Sequence, residues 1–319
     1  MNVVSLFSGI GGLDQGFIDA GYDVVWANDF DQYAAHTYNC NNPEGIMHQG
    51  DINEIPLESI PEHDVLIGGF PCQPFSMMGE QRGFEDTRGT LFFRIAEIIK
   101  YQEEVNHHPP RVIVLENVRR LLTHDKKNTF ATIKATLEQL GYKVFFKVLN
   151  SADYGVPQIR NRLFIVCFRN NDVEFEYPEP QPLTVSMHDV LDKEVPETYY
   201  LSEKLKPTIL SDGTGGYVAK SEINMSPARP LCATMAKMHR ACQDNYYSDD
   251  YILGNGDQDR IRKLTPRECA RLQGFQDSFV IDVSNAQAYK QFGNAVTVNV
   301  SRAVANQIRV KLEEIGEWH

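Results

Sequence analysis

The first 76 residues of this 319-residue chain contain neither lysine nor arginine, although they carry eleven acids. All 31 basic residues therefore fall in 77–319, against the other 32 acids. The formal net charge of −12 thus belongs to one N-terminal block, and the remainder is close to neutral. That block is excluded as a polyanion-facing surface, whereas later segments are free to present local basic patches. Signals for cysteine pairing are missing too. The six cysteines stand at 40, 72, 167, 232, 242 and 269, with no C-x-x-C pair and no histidine spaced for zinc, so no metal is expected. Scattered thiols in a chain this long predict a reduced, cytoplasmic setting. No apolar run reaches membrane-spanning length, and the opening MNVVSLF lacks the basic start of a signal peptide. Membrane association is therefore not expected, and no internal repeat is found.

What is present reads as alternating strands and helices. Val3–Phe7, Val24–Trp26, Val65–Gly69 and Val112–Leu115 are short buried-type strands, each followed by polar, Gly- or Asn-containing residues. A helix-like run follows the first strand as far as Ala20, and Leu91–Glu103 and Thr129–Leu140 read as amphipathic helices. Val144–Leu149 and Leu163–Phe168 add a hairpin-like edge. The pattern predicts an α/β fold with a doubly wound, mostly parallel sheet and ligands at the carboxyl ends of its strands. Residues 171–260 differ: rich in Pro, Gly, Asp, Tyr and Ser, and too long for one loop, they predict a smaller, irregular, β-rich second domain. Helical patterning returns at Thr265–Gln273, opened by a Thr265-Pro266-Arg267-Glu268 capping box, and at Ala295–Glu314.

Four constellations carry chemistry. Phe7-Ser8-Gly9-Ile10-Gly11-Gly12 is a glycine-rich turn between strand and helix, which lets a ligand approach the backbone. A dinucleotide fingerprint needs glycine three residues after Gly11; that place holds Asp14, which disfavours a nicotinamide cofactor. Acids follow the next strands at Asp29 and Asp51, suited to a ribose diol, although each taken singly is more often a solvated loop carboxylate or helix cap. The lack of nearby lysine and arginine suits a cationic ligand rather than a polyphosphate. Second, Cys72 lies in Gly68-Gly69-Phe70-Pro71-Cys72-Gln73-Pro74-Phe75-Ser76, where flanking prolines fix the backbone. It reads as a positioned nucleophile or as an inert buried thiol. Third, Glu116-Asn117-Val118 places a carboxylate at the next strand end, a second crevice acid or a helix cap. Fourth, Gln158-Ile159-Arg160-Asn161-Arg162 enters a strand, and alternation predicts Arg160 and Arg162 on one face, aimed together or spent on surface ion pairs.

The ordered set FSGIGG, GDI, GFPCQPFS, ENV, QIRNR, LTPRECARLQGF and YKQFGNAV resembles the motif series of DNA (cytosine-5) methyltransferases, in particular the compact bacterial enzymes of restriction–modification systems. The resemblance covers 1–170 and 260–310. It implies a catalytic domain of 1–170 plus 261–319, of the S-adenosylmethionine methyltransferase type, interrupted by a target-recognition domain at 171–260. It also implies that S-adenosyl-L-methionine is lined by Phe7, Gly9, Gly11, Asp29, Phe30, Asp51, Ile52 and Leu91 and closed by Asn294 and Val296, with the C-terminal helix folding back beside the first strand. Cys72 would be the nucleophile, with Glu116 on the base edge and Arg162, supported by Arg160, on the base O2. Ser76 and Arg88 would meet phosphates.

The partner so implied is double-stranded DNA, bound by a monomer, with a cognate restriction endonuclease acting separately. In 171–260, Thr234 resembles a position that braces the target phosphate, and Arg229, Lys237 and Arg240 are the candidates for phosphate or guanine contacts. Tyr217 either fills the gap left by a flipped base or packs in a glycine-rich turn. Two other readings stand beside this one: a cytosine-5 methyltransferase acting on tRNA, and a non-catalytic DNA-binding relative, which the intact PCQ and ENV residues disfavour.

Overall fold

The computed structural model describes residues 1–71, 91–213 and 219–318, and its chain divides into two compact units. The first comprises Met1–Leu149, Asn161–Glu179 and Val300–His319; the second comprises Asn150–Arg160 and Pro180–Asn299. These boundaries differ from the split expected above, since 150–160 and 261–299 make their contacts within the second unit.

The first unit is built on a seven-stranded sheet. Its strands are β1 (Asn2–Leu6), β2 (Asp23–Asp29), β3 (Met47–Gln49), β4 (Val65–Gly68), β5 (Val112–Val118), β6 (Lys143–Asn150) and β7 (Asn161–Phe168), in the order β3-β2-β1-β4-β5-β7-β6. The pairs β2–β3, β1–β2, β1–β4 and β4–β5 are parallel, and β5–β7 is antiparallel. All four residues of β4 are buried, as are Val112–Leu115 of β5, which is why those stretches read as continuous apolar runs. The expected edge at 144–168 is present, with β7 inside and β6 outermost. β3 and the helix α2 (Gln32–Asn41) carried no periodic signal strong enough to predict them.

Helices flank the sheet. α1 (Gly12–Asp19) follows β1, α3 (Leu91–Glu104) precedes β5, and α4 (Asn128–Gln139) precedes β6. Leu66, Phe92, Ile95, Ile99, Ile113, Ile133, Leu137 and Ile165 share one core. The C-terminal helix, α9 (Val298–Glu314), which was expected beside the first strand, packs on α1. Ser301 Oγ donates to the Leu13 carbonyl at 2.6 Å, and a Cβ on Gly16 would stand 2.4 Å from the Ser301 side chain. Gly16 therefore sets the closeness of the two helices.

In the second unit regular structure is sparse. It holds α5 (Lys206–Leu210), β8 (Tyr246–Ser248), α6 (Asp249–Leu253), β9 (Ile261–Lys263), α7 (Pro266–Leu272) and α8 (Asn285–Asn294), with β8 and β9 antiparallel. Among the described residues this is its only ladder, so the strand content is lower than expected. Leu201, Ile209, Ala241, Tyr246 and Ile261 form a small core. The capping box is present: Thr265 accepts from the Glu268 N–H, and Glu268 accepts from the Thr265 N–H at 2.7 Å. Glu268 and Arg262, both fully buried, also form a bidentate pair at 2.7 and 2.9 Å. The helix expected at Ala295–Glu314 begins instead at Val298 (α9, Val298–Glu314), because α8 ends at Asn294 and Ala295 is extended. No helix among the described residues is long and apolar enough to cross a membrane.

Candidate active site

Parallel strands bring their carboxyl ends to one edge of the sheet, and β1 pairs with β2 on one side and β4 on the other. This is a topological switch point, where the loops leaving adjacent strands part and open a crevice. Phe7 leaves β1, Asp29 closes β2, Asp51 follows β3, Pro71 follows β4 and Glu116 lies near the end of β5. The predicted ligand-binding residues of the first unit thus come to one edge by topology alone.

The glycine-rich turn is held from three sides. Phe7, Gly9 and Gly11 all have positive φ, 55°, 57° and 85°; Phe7 is a non-glycine residue kept there with its ring against the core. Asp29 Oδ2 accepts from the Gly9 N–H at 2.8 Å, and its Oδ1 accepts from the Asp31 N–H at 2.8 Å. The acid expected to face a ribose diol therefore also fastens the turn. Beneath it lies Asp14, fully buried, which accepts from Ser5 Oγ and from the Tyr38 hydroxyl, each at 2.8 Å. Burial, first among the causes, pushes its carboxyl up to about 6, while the two hydroxyl bonds pull it down. The Tyr38 ring also backs Gly11, where an added Cβ would meet it at 3.2 Å. The sequence reading used Asp14 only to disfavour a nicotinamide cofactor; its role beneath the turn needed the positions of Ser5 and Tyr38.

Among the described residues the space above the turn is open. A Cβ on Gly9 would meet nothing within 4 Å, and Phe30, just past β2, is 75 % exposed. Asp51 accepts from the Asn53 N–H and side chain at 2.9 Å, and Ile52 is buried. Arg94, absent from the sequence reading, reaches from α3 to the carbonyls of Ile52 at 3.1 Å and Ile55 at 2.5 Å. It pins the Asp51–Ile55 segment one helical turn from Leu91, which is half-buried at the start of α3. These features fit an adenosyl group carrying a sulfonium: a turn without side chains, an exposed ring, strand-end carboxylates and no cation on residues 1–71.

At the centre of the edge, Asn117 donates to the Phe70 carbonyl at 2.7 Å and accepts from the Val118 N–H at 2.9 Å. It thereby fixes the residue two places before Cys72. Cys72 itself, with Ser76, Arg88 and Tyr217, lies outside the described residues. Glu116 is buried and its carboxylate stands 3.1 Å from Arg162 Nε, an ion pair across the antiparallel β5–β7 ladder.

Arg160 departs from the expectation. β7 begins at Asn161, so strand alternation does not extend to it. It is 1 % exposed, and its guanidinium donates to the carbonyls of Leu231, Gly293 and Ala295 at 2.8–2.9 Å, all within the second unit. It braces that unit's backbone. Asn294, exposed, and Val296, buried, also belong to the second unit.

The remaining predicted residues of that unit vary in how they are held. Arg229 is half-buried, donating to the Ala241 carbonyl at 3.1 Å with Glu222 at 3.9 Å, and Arg240 donates to the Asp212 carbonyl at 2.8 Å. Thr234 and Lys237 are exposed at either end of a single helical turn. Gly293 packs so tightly on this segment that a Cβ would lie 2.3 Å from the Cys232–Ala233 peptide.

Comparison with known proteins agrees with this geometry. The chain is 41 % identical over 322 residues to the Type II methyltransferase M.NlaX of Neisseria lactamica, covering 99 % of this chain and 98 % of that protein. It is 37 % identical to the Type II methyltransferase M.HhaI of Haemophilus parahaemolyticus, covering 97 % and 94 %. In fold it is similar to the Dnmt2 methyltransferase of S. pombe, with TM-score 0.76, 21 % identity and 99 % of each chain covered. The family model for C-5 cytosine-specific DNA methylases matches residues 1–310, and the chain belongs to that family.

Proposed function

We propose that this protein transfers a methyl group from S-adenosyl-L-methionine to C5 of a cytosine flipped out of duplex DNA, as the modification enzyme of a restriction–modification system. The observation that carries the reading is the sheet edge, where the glycine-rich turn, the Asn117-braced approach to Cys72 and the Glu116–Arg162 pair occupy neighbouring strand ends. The Type II identity of its relatives supports the biological role.

The chemistry follows from the ring. C5 of cytosine is a weak nucleophile, so a covalent partner at C6 is needed. The Cys72 thiolate adds to C6, and the ring electrons move toward N3. Glu116 hydrogen-bonds the N3 and amino edge, and Arg162, fixed by Glu116, holds O2; together they stabilise the charge that develops as sulfur adds. S-adenosylmethionine, when bound, supplies an electrophilic methyl on a cationic sulfur. C5, now enamine-like, accepts that methyl; loss of the C5 proton to a base then expels the Cys72 thiolate and restores the ring. None of these atoms is reachable inside a duplex, so the base is extruded first. Phe7, Gly9, Gly11, Asp29, Phe30, Asp51, Ile52 and Leu91 would hold the adenosyl group. Arg229, Thr234, Lys237 and Arg240 of the second unit contribute to DNA recognition, with Ser76, Arg88 and Tyr217.

The protein acts as a monomer in the cytoplasm, and a separate endonuclease reads the same sequence. A duplex carrying 5-fluorocytosine tests the covalent step, because fluorine at C5 cannot leave as a proton does. Incubation with S-adenosylmethionine should give a denaturant-stable protein–DNA adduct through Cys72, located by peptide mass mapping. Methylation without any adduct would refute the mechanism.

A further inference from the structure

We infer that residues 119–127, on the catalytic-edge side of the first unit, form a second duplex-binding surface, which grips the DNA backbone from outside the recognition loops. The inference rests on the DNA-methylating reading above and adds a contact that the sequence motifs do not assign.

The argument begins with where cations are left without partners. In the first unit the described lysines and arginines outside this segment are, Lys147 apart, engaged with carboxylates. The pairs are Arg94–Glu97, Lys100–Glu104, Arg111–Asp64, Lys134–Glu138, Lys143–Glu174, Arg162–Glu116, Arg169–Glu103, Arg302–Asp19, Arg309–Glu313 and Lys311–Glu314. Arg119, Arg120, Lys126 and Lys127 are all exposed, and none has a carboxylate partner among the described residues. Among its described residues the first unit thus leaves its unpaired cations, Lys147 apart, within nine residues, where counterion release on a polyanion gains most.

Placement and anchoring support a built surface. Arg119 follows Glu116 by three residues, so its backbone lies within about 10 Å of that carboxylate's own. A base held by Glu116 hangs from a sugar–phosphate strand, whose neighbouring phosphates fall at this range. The segment is fixed at its start by Leu121, which is fully buried, and at its end by His124 Nδ1 against Thr129 Oγ1 at 2.7 Å. Between these anchors Asp125, Lys126 and Lys127 take positive φ of 45°, 52° and 79°, a conformation non-glycine residues rarely adopt, which swings the two lysines out ahead of α4. The charge faces outward because the apolar residues of the same segment are spent on the core.

The test uses Arg119→Gln/Arg120→Gln and Lys126→Gln/Lys127→Gln double variants, with Lys147→Gln as control. Binding of a labelled duplex is measured by fluorescence anisotropy across a salt series, with S-adenosylhomocysteine present. Each double variant is expected to bind more weakly and to lower the slope of log Kd against log salt by about 2, equally for methylatable and unrelated duplexes. Cofactor affinity should stay at the wild-type value, which also certifies the fold, and Lys147→Gln should behave as wild type. A wild-type slope in both double variants, an equal change in Lys147→Gln, or a larger effect on structured RNA than on duplex DNA would overturn the inference. Wild-type protein that neither methylates nor binds duplex DNA would instead overturn the underlying functional reading.

Discussion

Replacing Asp14 by Asn should stabilise the first unit at neutral pH, and the gain should vanish in acid. The carboxyl is fully buried beneath the glycine-rich turn, and burial raises it from 3.8 to about 6. The folded state therefore holds its proton more tightly than the unfolded chain between those values. By linkage, the stability this group contributes is fully present below pH 3.8 and is lost as pH rises through 6. A shift of about 2 units corresponds to about 3 kcal/mol at pH 7.5. Asn keeps the shape and still pairs with the hydroxyls of Ser5 and Tyr38 without ionising, so it should recover about 1–3 kcal/mol of that cost. The assay is urea unfolding followed by tryptophan fluorescence. Both tryptophans, Trp26 and Trp318, lie in the first unit, so the signal reports that unit alone. The difference between variant and wild type should be largest at pH 7.5 and shrink steadily toward pH 4. A difference that does not change with pH, or a variant less stable than wild type at pH 7.5, would refute the reasoning.

Three further outcomes follow from other contacts. Asn117→Asp keeps the acceptor for the Val118 N–H but loses the donor to the Phe70 carbonyl, so kcat for methyl transfer should fall at least about tenfold at saturating cofactor while cofactor binding is unchanged; wild-type kcat would show that Asn117 does not position Cys72. Gly16→Ala forces α1 and α9 apart against a 2.4 Å clash and should lower the stability read by tryptophan fluorescence by about 2 kcal/mol, net of the gain in helix propensity. His63, buried and depressed to about 4 by desolvation, contributes stability that is present above pH 6.5 and lost as pH falls toward 4; His63→Gln should flatten acid unfolding in that window, and an unchanged profile would count against it.

Much of the first unit could be read in the sequence because its chemistry is local. A buried parallel strand is an apolar run, and a strand-end turn without side chains is a string of glycines, so β1, β4, β5 and the residues that leave them were predictable. Asp29 and Glu116 fell at the expected edge for the same reason. What failed depended on tertiary partners. β3 is three residues long and α2 begins at an Asp31 cap without a strong apolar stripe, so neither stood out. Arg160 reads in the sequence as one of two alternating arginines; only the carbonyls of Leu231, Gly293 and Ala295 reveal that it braces backbone. Arg94 and Asp14 sit in helices as ordinary charged residues until Ile52, Ser5 and Tyr38 are placed against them. In the second unit polar loops carry the structure through specific bonds such as Arg229 to Ala241, and such bonds leave no periodic trace.

The central proposal is that the protein methylates cytosine C5 in a short DNA sequence through a covalent bond from Cys72 to C6. Wild type and Cys72→Ala should be expressed in a host lacking cytosine-5 methylation and its genomic DNA sequenced after bisulfite treatment. The account predicts protected cytosines within one short motif with wild type and none with Cys72→Ala. Protection that persists in Cys72→Ala, or its absence with wild type despite folded, cofactor-binding protein, would contradict it.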